Sequence, residues 1–117
     1  MTWIQDDVDQ VGVGIITSEG FAEITTISTD KSSALRGERV AITTRVKNTG
    51  GETGFSEDIV VIVGLFDWTT GNAIDIFEKS YGLVKGEESS DLVYSATIPS
   101  DYDQDKITAA AIGFHWE

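Results

Sequence analysis

Residues Arg39 to Lys47 alternate cleanly. Val40, Ile42, Thr44 and Val46 fall on one face, and Arg39, Ala41, Thr43, Arg45 and Lys47 on the other. Side chains of a strand point to opposite faces in turn, so this period of two predicts an antiparallel strand with one wet face. Ala22 to Thr29, dense in Thr and Ile, predicts a second strand, and Val11 to Thr17 a short one weakened by Gly12 and Gly14. Asp58 to Trp68 is apolar on both faces: Ile59, Val61, Val63 and Leu65 make one, Val60, Ile62 and Phe66 the other. Further strands are expected over Ala73 to Lys79, Asp91 to Ile98 and Lys106 to His115, with Leu92, Tyr94, Ala96 and Ile98 inward and Pro99 as a stop. Turn-forming clusters separate them, and no segment sustains the helical period. Six or seven short strands between turns predict an all-β sandwich, with an N-terminal extension or arm over 1–21 and the sandwich over 22–117.

The two-faced strand carries an expectation about assembly. A sandwich strand needs one apolar face, and each side chain of this size left in water forgoes about 1.5–3 kcal/mol of burial. The second face, Val60, Ile62 and Phe66, is therefore expected to be an interface, covered by a neighbouring copy or by the arm. The arm supplies Val11, Val13 and Ile15 as candidate interface residues, in a stretch long enough to add a strand to a sheet edge of its own domain or of a neighbour.

The order of turn motifs adds a likeness. Leu35-Arg36-Gly37-Glu38 leads into the Arg39 strand, which ends in Asn48-Thr49-Gly50, and Leu83-Val84-Lys85-Gly86-Glu87-Glu88-Ser89 precedes the Asp91 strand. This punctuation resembles that of CARDB-type immunoglobulin-like domains, over about residues 22 to 115. The resemblance implies a single antiparallel immunoglobulin-like β-sandwich of about seven strands with an N-terminal arm. It also implies a non-catalytic adhesion or spacer module, and it carries no functional residues across.

Composition narrows the function classes. The chain has 117 residues, one domain's worth, and no cysteine, which excludes disulfides and thiolate sites. Twenty acidic residues against eight basic ones give a net charge of −12, a surface that repels phosphate backbones, so no nucleic-acid partner is expected. No apolar run is long enough for a transmembrane helix, so no membrane insertion is expected. The first residues lack the pattern of a signal peptide. The acidic surplus further predicts stabilisation by salt, which screens self-repulsion.

Candidate chemistry is sparse. The single histidine, His115, has no recognisable nucleophile motif to serve, and an enzyme is not expected. Asp101, Asp103 and Asp105, at every second position, are the candidate metal ligands, for calcium, which takes six to eight oxygens; no other cofactor is expected. Trp68, with Phe55, Tyr81 or Tyr102, is a candidate glycan platform. The functional expectation is a structural or adhesion module acting through protein partners or self-association. It leans to a virion surface component, a head decoration or tail protein, or else the extracellular surface. The alternative is a carbohydrate-binding or cell-surface adhesion sandwich.

Overall fold

The computed structural model describes residues 3–10, 22–50 and 59–116, the first stretch and Trp116 by backbone alone. Seven strands follow in order: β1 (Trp3–Gln10), β2 (Ala22–Thr29), β3 (Arg39–Asn48), β4 (Ile59–Asp67), β5 (Ala73–Tyr81), β6 (Leu92–Thr97) and β7 (Ile107–Trp116). Among the described residues there is no helix. The strands form two sheets, ordered β1-β7-β4-β5 and β2-β3-β6, with every pair antiparallel. The sheets pack as a sandwich around Ile24, Ile42, Val46, Ile59, Val63 and Leu65, drawn from both layers.

Alternation explains most of this. In β3, Val40, Ile42, Thr44 and Val46 are buried while the intervening side chains reach solvent, and Leu92, Tyr94 and Ala96 of β6 turn to the same core. β2 departs from strict alternation because its core residues Ile24 and Ile27 lie three positions apart. A bulge between Ile24 and Thr26 takes up the extra residue, so that Ile24 pairs with Val46 and Ile27 with Thr44 on the same face. Gly64 is demanded by close approach: a Cβ there would lie 2.1 Å from the Asp75 carbonyl oxygen of β5. At Gly113 the two layers nearly touch, a Cβ meeting the Ala22 carbonyl at 2.8 Å.

The turn motifs that carried the resemblance are structural ties. In Leu35–Glu38 and again in Val84–Glu87 a glycine with positive φ (89° and 86°) is followed by a glutamate. The glutamate carboxylate accepts the N–H three residues back, from Leu35 at 2.7 Å and from Val84 at 3.2 Å. The first turn is stitched to Ile98 by two main-chain bonds, from Gly37 N–H and to Glu38 C=O. The second is stitched to Asn48 in the same way, by Gly86 N–H and Glu87 C=O. The Asn48 side chain, fully buried, donates to the Leu83 carbonyl at 2.8 Å. Ser89 completes the tie by exchanging bonds with the Val46 backbone.

One strand lies where the sequence pattern showed none. Trp3–Gln10 pairs with β7 as the edge of the larger sheet. The expected strand Val11 to Thr17, with Val11, Val13 and Ile15, lies outside the described residues.

Candidate functional surfaces

The β4–β5 turn and the loop before β7 meet at one end of the sandwich. Asp67 closes the turn: its carboxylate accepts the N–H groups of Thr69 and Thr70, both at 2.9 Å, and the Gln104 amide at 2.8 and 2.9 Å. These bonds, that from Thr70 above all, hold the Asp67 carboxyl below the ordinary aspartate range. Tyr102 accepts the Trp68 N–H at 3.2 Å and donates to the Lys106 carbonyl. The Arg36 guanidinium donates to the carbonyls of Tyr102 and Gln104. Lys106 sits over the Trp68 ring, 5.2 Å from its centroid.

The candidate calcium ligands lie on the solvent side of this loop. Residues 101–105 alternate in direction: Tyr102 and Gln104 turn toward the body of the domain, and Asp101, Asp103 and Asp105 are exposed. Asp105 reaches Arg36 at 3.9 Å. The bonds that hold Tyr102 and Gln104 to the β4–β5 turn leave the three acids facing solvent. Among the described residues, no group of three or more His, Cys, Asp or Glu is placed to hold a metal ion.

The candidate glycan residues are likewise apart. Tyr81 pairs with Ile59 at the start of β4, whereas Trp68 follows Asp67 at its end, so they sit at opposite ends of the hairpin. Tyr102 is the aromatic residue beside Trp68, and Phe55 lies outside the described residues. Trp68, 43% exposed, borders a cleft of about 640 Å³ at the open end of the sandwich. The cleft is floored by Val40, Leu65 and Ile98 and rimmed by Ser32, Ser33 and Lys106.

The outer face of the four-stranded sheet carries an apolar strip along β4 and β7, with Glu78 and Ser80 beside it on β5. Register places Val60 between Ser80 and Phe114, and Ile62 between Glu78 and Ile112. Gly64 lies between Ile76 and Ala110. Val60 and Phe66 are buried, Ile62, Ile112 and Phe114 half-buried, and Ile76 exposed. A hollow of about 350 Å³ opens on this face over Ala110 and Ile112, walled by Phe66 and the Asp67–Gly71 turn.

The other outer face, on the three-stranded sheet, is polar. Arg45 pairs with Asp91 and, at 3.8 Å, with Glu88, and its guanidinium is held protonated more firmly by the Asp91 bond. Between the layers, Tyr94 donates to Asp75, which also accepts the Thr97 N–H at 2.8 Å. That bond to Asp75 raises the Tyr94 hydroxyl above the ordinary tyrosine value. Phe77 stacks on Tyr94 with centroids 5.4 Å apart. His115 is buried in β7, in register with Ile59 on one side and Ile4 on the other.

The chain matches no protein-family model, no curated protein and no solved structure.

Proposed function

We propose that this chain is a non-enzymatic structural module, an immunoglobulin-like sandwich that acts through protein–protein contacts between copies in a larger assembly. The observation that carries the reading is the outer face of the four-stranded sheet. There Ile62, Ile76, Ile112 and Phe114 form an apolar strip beside a hollow able to receive a partner's side chain. Contiguous apolar surface of this kind marks interaction sites more often than scattered single residues do. The side chains of Asp67, Gln104, Arg36 and Asn48 are spent on holding loops, which fits a scaffold rather than a catalyst. A virion surface, as head decoration or tail component, is the setting favoured by analogy with other uses of such sandwiches; an extracellular surface is the neighbouring setting.

Sedimentation velocity in molar NaCl, where the net charge of −12 is screened, tests this. The expected result is particles at multiples of 12.7 kDa, reduced toward one chain by Ile62→Lys with the β circular dichroism spectrum unchanged. A mass of 12.7 kDa at every concentration would overturn it.

The cleft beside Trp68 favours a second reading, carbohydrate binding, since its size lies in the range of small-ligand sites. A glycan array probed with the chain and with Trp68→Ala tests it, the reading requiring a glycan signal that the substitution removes.

A further inference from the structure

β1 differs from the other six strands in how the chain reaches it. β4 and β5 form a hairpin, and β2 and β3 are neighbours in chain and sheet. β1, the first strand, instead lies against β7, the last, across almost the whole sequence. Without β1 the remaining strands, β2 to β7, make two sheets of three, β7-β4-β5 and β2-β3-β6. β1 is thus an edge strand, held to the larger sheet by its ladder with β7 alone among the described strand pairings.

The edge needs an occupant. β7 is paired with β4 from Ile107 to His115, and its other side would present a row of unpaired N–H and C=O groups, a template for any passing strand. Its residues include Ala109, Ala110, Ala111 and Gly113 and no Asp, Glu, Lys or Arg, so recognition rests on the main-chain ladder. The donor strand is acidic, with Asp6, Asp7 and Asp9. An acidic strand and a neutral edge do not repel each other, and the opposing term is the general self-repulsion of the acidic chain.

The connection is longer than the path within one copy requires. Gln10 pairs with Ala110, and Ala22 lies against Gly113, three residues further along β7. That gap is roughly 15 Å, from strand rise and spacing. The eleven residues from 11 to 21 can span up to about 40 Å, more than the shorter dimensions of the molecule, 25 and 22 Å.

We infer that β1 is an exchangeable strand, which pairs with β7 of a second copy of this chain through the same ladder as with its own and so links copies into the assembly. This rests on the structural reading above and adds a second link between copies beside the apolar face. The ladder formed is the same in both cases, so the outcome is set by concentration. An eleven-residue connection sets a roughly millimolar effective concentration of β1 at its own edge, and exchange prevails as the protein approaches that density, with salt screening the charge.

The absence of cysteine makes the test clean. Val8 and Ile112 are register partners across the ladder. The full chain carrying Val8→Cys together with Ile112→Cys, oxidised at about 1 µM, is expected to close a disulfide within one chain, far below the effective concentration of the tether. Failure to close there overturns the proposal, because the register itself would be wrong. The two single variants are then refolded together from urea at about 1 mM in molar NaCl, a density comparable to that tether. They are expected to give a disulfide-linked pair at several times the yield of Val8→Cys with the off-register Ser95→Cys. A yield no higher than that control overturns strand exchange. If the chains still sediment as multiples of 12.7 kDa, the structural reading stands without it, and if they do not, both fall. Gln5 and Phe114, another register pair, repeat the test should Ile112→Cys not fold.

Discussion

Asn48 is the point where two turn motifs are tied, and its removal has a calculable effect. The side chain is fully buried, donates to the Leu83 carbonyl at 2.8 Å and accepts the Gly50 N–H at 3.2 Å. Asn48→Ala deprives a buried carbonyl of that donor and leaves a small void. Such a loss costs about 1–3 kcal/mol for the stranded acceptor and brings the total to about 2–4 kcal/mol with the void. A domain of this size has only about 5–15 kcal/mol of stability, so the midpoint of urea unfolding, followed by tryptophan fluorescence, falls visibly. Asn48→Asp keeps the shape and separates the chemistry. A buried acid beside a carbonyl oxygen is favoured in its protonated form, so its pKa rises on folding. The folded state then binds more protons than the unfolded one, and stability is lost as pH rises above the unfolded value near 4. Asn48→Asp should resemble the parent most at pH 4 and lose progressively more by pH 7. A loss below about 0.5 kcal/mol for Asn48→Ala, with no pH dependence for Asn48→Asp, would refute the tie, since that is the range of ordinary surface substitutions.

Other outcomes follow from the same structure. Gly64→Ala drives a methyl into the Asp75 carbonyl and should destabilise by about 1–3 kcal/mol or more in the same assay, as overpacking does. Asp67→Ala should be less stable than the parent at neutral pH. Because the folded pKa of Asp67 is depressed, its contribution is present above the unfolded value and is lost as pH falls through the folded one, so the two proteins' urea midpoints converge in acid. Asp105→Ala should change stability by less than about 0.5 kcal/mol, its exposed pairing with Arg36 being worth little. The melting temperature of the parent should climb between low and molar NaCl, and a flat profile would remove the argument from charge.

How far the sequence carried can be judged strand by strand. β2 was legible to its ends, and β3 to β7 to within two residues, because each has a local signal: alternation in β3 and β6, a two-faced apolar run in β4, turn clusters between. β1 was illegible. Asp6, Asp7 and Asp9 fall on both parities, a bulge between Gln5 and Asp7 breaks the period, and what orders the strand is a main-chain ladder to residues about a hundred positions away. The acidic loop was legible as a turn, but the inward direction of Tyr102 and Gln104 was not, because their partners Trp68 and Asp67 lie more than thirty positions away. Trp68 and Tyr81 are both near turns in sequence, and only the hairpin register shows that these turns lie at opposite ends. The apolar second face of β4 was read directly, whereas the hollow beside it depends on the Asp67–Gly71 turn standing above Ala110, a non-local fact.

The central claim is that copies of this chain build a larger structure, and electron microscopy of the concentrated protein in molar NaCl tests it most directly. The account predicts ordered fibres, sheets or shells with one sandwich per repeat, lost on substituting Ile62 with Lys. A field without ordered particles at every concentration and salt, from protein that remains folded, would contradict it.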